Sequence, residues 1–337
     1  MSPTRGRQPA LPLSIATGDY DRVRAIIDGR VAIEGCEVNY LPMSMEEGFY
    51  RAATHHEFDV AELSGSSYII ARSRGIDDYI AVPVFLSRMF RHSAIYVRDD
   101  AGISRPEDLR GREVGVPVYA MTAALWVRGM LEEEYGVAPS AITWRTGGLE
   151  QPGRYGKFPL NLPPDIVVRA IPEDRALSDM LARGEIGALV SARAPSCFQS
   201  GMPGIRRLFP DYRAAEVAYY RKTGLFPIMH MLAIRRSLAE RHPWLPASVM
   251  KAFVEAKRIC IEDLNDVTAL RATVPWLIAE LEETRALLGG DFWRYGFKNN
   301  LGELEVMTRW SVRQGLAARA VKPEDLFYPS TLESARV

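Results

Sequence analysis

The segment ISRPEDLRGREVGVPV, residues 103–118, places a helix start directly before a strand. Ser104 precedes a Pro-Glu-Asp sequence. This predicts a short helix with Ser104 as its N-cap, because serine caps helices and proline fits their first turn. The apolar residues that follow Gly111 predict a strand bounded by glycine. A helix that leads at once into a strand is typical of α/β proteins.

The same alternation continues on both sides of this segment. Strand-like runs and runs with apolar residues at helical spacing follow one another along most of the chain. Strands are predicted at residues 11–17, 36–43, 58–64, 141–148 and 165–171, and helices at residues 19–30, 45–57, 120–137 and 246–264. The sequence therefore predicts an α/β fold.

Extended apolar character appears around residues 79–98 and returns near residue 225. We interpret these two places as crossings between lobes. The first lobe then comprises residues 1–92 and 226–337, with a helical C-terminal extension, and the second lobe comprises residues 93–225. Two α/β lobes joined by two crossings enclose a cleft, and ligands of open α/β sheets bind at the carboxyl ends of the strands.

The 337-residue chain carries 42 Lys and Arg against 42 Asp and Glu. Without a net charge it has no global field for nucleic acid or an anionic membrane, so a small molecule is the expected partner. Its three cysteines show no metal-binding spacing, and sparse reduced thiols favour the cytoplasm. We predict no secretory signal and no membrane span, because no apolar run of about seven residues follows the basic start and none of about eighteen occurs elsewhere.

Polar residues gather where the third predicted strand ends and a helix begins, in ELSGSSYI. The hydroxyls of Ser64 and Ser66, with the free N–H groups of the helix start, make a cradle for a carboxylate. The alternative is that they only cap the helix. Glu62 lies in an apolar strand, where a carboxylate needs a reason to be buried. We expect it either to pair with an arginine or to act as a base.

Histidine occurs at both predicted crossings, in FRHSAIYVR and in FPIMH. If residues 84–98 are extended, alternation directs Arg91 and His92 to opposite faces. We expect His92 to face the cleft, with a buried structural histidine as the alternative, and Arg91 either to bind a carboxylate or to brace the crossing. His230 occupies the matching place in the second crossing, so the two histidines are expected to meet across one cleft.

The segments PEDLRGREVGVP (106–117), LARGEIGALVSAR (181–193) and LAIRRSLAERHPWLPASVMKAF (232–253) resemble the type 2 periplasmic-binding-protein fold, and the resemblance covers nearly the whole chain. Within that fold, the combination of ELSGSSYI, FRHSAIYVR, TGGLEQPGR and FPIMH resembles the 4,5-dihydroxyphthalate decarboxylase family. The resemblance implies a cytoplasmic enzyme of phthalate degradation. Such an enzyme removes one carboxylate from an aromatic diacid and yields protocatechuate.

A phthalate-like substrate is a dianion, and a guanidinium binds a carboxylate in a bidentate manner. The resemblance therefore implies arginines in the site. Besides Arg91 we consider Arg154, in the TGGLEQPGR loop, and Arg193, which ends a strand of the second lobe. The alternative for both is a surface charge or a salt bridge between the lobes. Tyr119 and Thr122 lie at a strand-to-helix turn, where they either bind an anion or cap the helix.

For such a substrate we expect His92 or His230 to protonate the ring carbon that loses carbon dioxide. Glu62 or the other histidine is expected to assist the phenol. No phosphate-binding loop and no Schiff-base lysine motif occur, so no organic cofactor is expected, and no metal either. The alternative is a divalent metal held by His92, His230 and Glu62.

Two other functions stay open on the sequence. One is a receptor that binds an anionic or aromatic solute and feeds a transporter. The other is a different biosynthetic enzyme on the same fold, such as those that make menaquinone or thiamine precursors. The helical C-terminal third, with Trp276, Trp293 and Trp310, either covers the first lobe or makes a dimer contact. A homo-oligomer is therefore among the expected states.

Overall fold

The computed structural model describes residues 9–153 and 159–333. Its first sheet consists of Leu11–Thr17 (β1), Cys36–Pro42 (β2), Val60–Ser64 (β3), Tyr79–Arg88 (β4) and Ile228–Arg235 (β11). In space the order is β2-β1-β3-β11-β4. Strand β1 is parallel to β2 and β3, whereas β11 runs antiparallel to both β3 and β4. The last of these strands in the chain thus lies between β3 and β4.

The second sheet consists of Ile95–Arg98 (β5), Glu113–Val116 (β6), Thr143–Thr146 (β7), Val167–Ala170 (β8), Ala188–Val190 (β9) and Ile205–Arg207 (β10). The spatial order is β10-β5-β9-β6-β7-β8. Strands β6, β7, β8 and β9 are parallel to their neighbours in this group, and β5 is antiparallel to β9 and β10.

Helices connect the strands and cover the sheets. Their bounds are Arg24–Ile27 (α1), Met45–His55 (α2), Gly65–Ser73 (α3), Thr122–Tyr135 (α4), Leu177–Ala182 (α5), Ser196–Gln199 (α6), Tyr212–Thr223 (α7), Arg236–Arg241 (α8), Leu245–Asp263 (α9), Leu277–Leu288 (α10) and Leu301–Arg313 (α11). None of these helices combines the length and the apolar character that crossing a membrane requires.

The predicted α/β fold with two lobes is confirmed, since each lobe is built around one of the two sheets. The chain leaves the first sheet after Arg88 and re-enters it at Ile228, which places both crossings near the predicted positions. The lobe boundaries at residues 92/93 and 225/226 stay predictions.

Helix α4 joins the two lobes. Residues from Thr122 to Leu131 are all buried, Arg128 among them, so this part of the helix is enclosed on every side. It contacts α3 and β11 of the first lobe as well as α11. Trp310 of α11 lies edge-on to Trp126, with ring centroids 5.2 Å apart, and covers Gly129, where any larger side chain would overlap the indole. The C-terminal extension therefore packs on both lobes rather than on the first alone.

The segment around Ser104 folds as predicted, with a short 3-10 helix at Pro106–Leu109 followed by β6. The prediction that the Ser104 side chain caps this helix by accepting a hydrogen bond is wrong, because Ser104 is a donor. Ser104 donates from its backbone N–H and from its hydroxyl to Asp108 Oδ2, at 2.9 and 3.0 Å, and the N–H of Arg105 adds a third bond. The carboxylate thus caps the loop, and the backbone donors lower the pKa of Asp108 to about 2.

The predicted extended conformation of residues 84–98 is also wrong. Strand β4 ends at Arg88, and a 3-10 turn at His92–Ala94 separates it from β5. The break has a physical cause: the chain must turn here to pass from one sheet to the other. Strand alternation therefore says nothing about the directions of Arg91 and His92.

Candidate functional site

The candidate site lies where β3 ends and where β11 passes between β3 and β4. His230 is opposite Ser64 on one side and Ser87 on the other. The pairing of β11 with β4 shifts register on both sides of His230. Such irregularities bend a strand and redirect its side chains, and they are frequent beside active sites.

Glu62 and His230 form a hydrogen-bonded pair in this site. Their atoms Oε1 and Nδ1 are 2.7 Å apart, and only 1% of the Glu62 side chain is exposed. Glu62 also accepts bonds from the N–H of Gly18 at 2.9 Å and from the hydroxyl of Tyr20 at 2.8 Å. Three donors satisfy a buried carboxylate that can only accept. Of the two predicted roles of Glu62, the pairing with an arginine is wrong, because its partner is an imidazole, and the role as a base stays a prediction.

The His230 ring remains reachable from outside. Its side chain is 18% exposed, and the Phe49 ring lies edge-on to it at 4.8 Å. With Nδ1 held by Glu62, Nε2 is the nitrogen that can face a ligand, since no side chain in the described ranges bonds to it. A carboxylate that orients one imidazole nitrogen leaves the other free for proton transfer.

Ser64, Ser66 and Thr122 are brought together where the first turns of α3 and α4 meet. Thr122 Oγ1 lies 2.9 Å from Ser64 Oγ and accepts the N–H of Ser66 at 3.0 Å. The Ser66 hydroxyl is buried and has no hydrogen-bond partner among the described residues. These contacts join the two lobes at one edge of the cleft. The role of the three residues in binding substrate stays a prediction.

Arg193 forms an ion pair that bridges the lobes. This salt bridge was the predicted alternative to a role in binding substrate. Its Nη2 is 3.0 Å from Oε1 of Glu46, which lies in the first turn of α2. Because 67% of the arginine side chain is exposed, this pair is worth about 1 kcal/mol or less. A ligand carboxylate can therefore compete for Arg193 at small cost.

Arg91 and Tyr119 are buried rather than turned to an open cleft. The Arg91 Nε donates to the Met229 sulfur at 3.2 Å, and burial lowers the pKa of Arg91 to about 10. This arrangement fits the bracing role. The Tyr119 ring is covered by the Arg128 guanidinium, 3.7 Å from the ring centroid. Arg154 lies outside the described residues.

His92 lies in an aromatic cage at the first crossing. It is 1% exposed, and its ring is 5.1 Å from the ring of Phe209 and 5.5 Å from that of Tyr219. Both ring nitrogens are without a hydrogen-bond partner in the described chain, and burial lowers the pKa of His92 to about 4. The ring is therefore neutral at pH 7. No ring contact or hydrogen bond within residues 9–153 and 159–333 joins it to His230.

The alternative metal site of His92, His230 and Glu62 is not formed. In the part of the chain that the structure describes, no three His, Cys, Asp or Glu side chains lie close enough together to hold a metal ion. His92 is packed among aromatic rings, whereas Glu62 and His230 form their pair on the first sheet. The expectation that the reaction needs no metal is not tested by this observation.

The buried neutral His92 predicts a stability that depends on pH. Its pKa is about 4 in the folded protein against 6.5 for a free histidine, so between these values the unfolded chain binds a proton that the folded protein does not. The free energy of unfolding should therefore fall by up to about 3 kcal/mol as the pH drops from 6.5 to 4. His92→Leu should remove this component in urea titrations at several pH values.

The exposed His55 supplies the control for this experiment, because His55→Gln should keep the wild-type pH dependence. If His92→Leu loses stability with falling pH as steeply as the wild type does, the buried imidazole is not the cause.

Tyr20 was missed by the sequence reasoning. It follows Gly18 and Asp19 directly after β1, and a polar residue at the carboxyl end of a buried strand was the available signal. Its contact with Glu62 joins residues 42 positions apart, so spacing alone could not reveal it.

The two-lobed fold, with its polar site at the carboxyl end of a central strand, defines a periplasmic-binding-protein-like class. A family model described as ABC transporter, phosphonate, periplasmic substrate-binding protein matches residues 17–151. The periplasmic aliphatic sulphonate binding protein SsuA from Escherichia coli superposes with a TM-score of 0.53 at 14% identity, over 96% of this chain and 99% of that one. This likeness shows the fold alone.

Within that class, the sequence comparisons are more specific. The chain is 45% identical over 327 residues to a 4,5-dihydroxyphthalate decarboxylase from Comamonas testosteroni, covering 97% of this chain and 99% of the relative. It is 47% identical over 211 residues to a protein of the same name from Pseudomonas putida, covering 63% of this chain and 82% of that protein. The chain belongs to the 4,5-dihydroxyphthalate decarboxylase family.

Proposed function

We propose that this protein is a carboxy-lyase that converts 4,5-dihydroxyphthalate to protocatechuate and carbon dioxide. The observation that carries the proposal is the 45% identity to a decarboxylase of that name across 97% of the chain. The Glu62–His230 pair supports it, because it supplies an oriented imidazole at the strand edge. A small aromatic dicarboxylate is thus the proposed partner.

The chemistry follows from the substrate. Each carboxylate of 4,5-dihydroxyphthalate has a hydroxyl para to it, so removing or polarising that phenolic proton pushes electron density onto the carbon that bears the carboxylate. An acid adds a proton to that carbon. The bond to the carboxylate then breaks, its electron pair restores the aromatic ring, and carbon dioxide leaves. One proton is consumed for each carbon dioxide released.

His230 is the proposed acid. Nδ1 is held by Glu62, which orients the ring and leaves Nε2 for the substrate. The other candidate from the sequence, His92, is neutral at pH 7 and lies in an aromatic cage, so it lacks the acidic proton of an imidazolium. We assign to His92 the structural role that the sequence left open.

The carboxylate that the substrate retains needs a binding site that offers a cation or several N–H groups. We propose that Arg193 exchanges its exposed partner Glu46 for this carboxylate. The first turns of α3 and α4, which meet at Ser64 and Thr122, add the positive ends of two helix dipoles. The proposed reaction uses no organic cofactor and no metal, and we place it in the cytoplasm.

A solute receptor is the second candidate, and the match of residues 17–151 to a periplasmic substrate-binding family favours it. Incubation of the purified protein with 4,5-dihydroxyphthalate, followed by detection of protocatechuate and carbon dioxide, separates the two. We expect turnover with this substrate and none with phthalate, which lacks both hydroxyls. Tight binding without turnover would favour the receptor.

The same assay, repeated after treatment with a chelator, tests whether the reaction needs a metal. Activity should survive dialysis against a chelator, and a loss that a divalent metal restores would overturn the metal-free proposal. The expected homo-oligomer stays a prediction, which light scattering of the same preparation would test.

A further inference from the structure

We propose that Tyr20 is a positioning residue for the Glu62–His230 pair, and that Arg22 and Trp293 hold Tyr20 in place. The inference rests on the proposed decarboxylation, since it concerns the acid of that reaction. It deepens the proposal by adding residues from both ends of the chain to the site.

The hydroxyl of Tyr20 and the Nδ1 of His230 share one oxygen atom. Oε1 of Glu62 lies 2.8 Å from the Tyr20 hydroxyl and 2.7 Å from Nδ1, while Oε2 takes the N–H of Gly18 at 2.9 Å. The carboxyl group is therefore held at both oxygens and cannot rotate. Its orientation in turn fixes the imidazole of His230.

The Tyr20 hydroxyl acts as a donor here. Burial and the neighbouring carboxylate of Glu62 raise the pKa of Tyr20 well above its usual value, so the phenol keeps its proton. A protonated phenol that donates to Oε1 draws negative charge away from the atom that also binds His230. Tyr20 thus moderates how strongly Glu62 stabilises the imidazolium.

Tyr20 is fixed by a stack of side chains. The Arg22 guanidinium carbon lies 4.0 Å from the centroid of the Tyr20 ring and 4.3 Å from that of Trp293. Nε of Arg22 donates to the carbonyl of Leu86 at 2.8 Å, and the Trp293 indole N–H donates to the carbonyl of Phe85 at 3.0 Å. Both anchors belong to β4, so the stack is tied to the same sheet as His230.

The variant Tyr20→Phe removes the hydroxyl and keeps the ring in the stack. Without this donor, Glu62 holds the imidazolium more strongly and its own orientation is less fixed. We expect kcat to fall about tenfold, with KM changed less than about twofold. The alkaline limb of the pH–rate profile should move to higher pH by about half a unit, because the proton stays on the acid longer.

Tyr79→Phe is the matched control. Tyr79 is a buried tyrosine of the same lobe whose hydroxyl donates to the carbonyl of Phe58 at 2.7 Å, away from the Glu62–His230 pair. It should lose a comparable hydrogen bond yet keep the wild-type pH profile. In the stack, Trp293→Phe should stay closer to the wild type than Trp293→Leu, because it retains a ring over the Arg22 guanidinium.

A second readout does not need turnover. The chain has five histidines, so the His230 ring can be assigned in NMR spectra by its loss in His230→Gln. Its titration should move to higher pH in Tyr20→Phe and stay in place in Tyr79→Phe. If the folded Tyr20→Phe protein keeps both the wild-type titration and the wild-type kcat, the inference fails while the decarboxylation stands. If the wild type releases no carbon dioxide, the proposed function fails, and the titration still decides the role of Tyr20.

Discussion

Replacing His230 with glutamine is expected to lower the turnover of 4,5-dihydroxyphthalate by about 10²- to 10⁴-fold, the range that a positioned general acid supplies. Glutamine approximates the size of the side chain and can donate to Glu62, but it carries no titratable proton for the ring carbon. The loss should therefore appear mainly in kcat, measured by the release of protocatechuate, with little change in the free energy of unfolding.

His242→Gln is the control for this substitution. His242 is half-buried at the end of α8, with its ring 6.0 Å from that of Trp244, and it lies outside the site. Its turnover should match that of the wild type. Wild-type turnover in His230→Gln, combined with a large loss in His92→Gln, would move the acid to the first crossing.

Replacing Trp310 with alanine is expected to destabilise the protein by about 3–5 kcal/mol, the usual cost of deleting a large buried aromatic ring. Trp310 is 1% exposed, lies against Trp126 and Gly129, and donates from its indole N–H to Glu133 at 2.7 Å. Removing it opens a cavity between α4 and α11. Urea denaturation at pH 7 measures the effect.

Trp276 provides a matched control, because 75% of this tryptophan is exposed. Trp276→Ala should change the free energy of unfolding by about 0.5 kcal/mol or less. Equal losses from the two variants would show that burial by α4 is not the source of the Trp310 contribution.

Much of the fold could be predicted because its signals are local. The spacing of apolar residues reveals strands and helices, and the return of extended character near residue 225 reveals the second crossing. Glu62 and His230 could be found for a related reason, since a polar residue inside an apolar strand is conspicuous wherever its partner lies. Their direct pairing across 168 positions was not predicted, because the sequence grouped them only as ligands of an alternative metal site.

Other features of the fold and the site could not be predicted, because they depend on contacts between residues far apart in the sequence. The turn at His92 arises because the chain passes from one sheet to the other there. The alternation of apolar and polar residues along a strand does not reveal such a turn. The burial of Arg91 follows from packing against Met229, more than a hundred positions away. Tyr20 and Trp293 meet Arg22 from opposite ends of the sequence, so neither carries a signal of its own.

The late position of Trp293 and Trp310 has a consequence for the order of events during protein synthesis. Once Arg235 has left the ribosome, every strand that the structure describes has been made, together with Glu62 and His230. The tryptophan that supports Arg22 and the one that fills the space over Gly129 are still to come. A nascent chain can thus complete both sheets before the side chains that pack on Arg22 and over Gly129 are available.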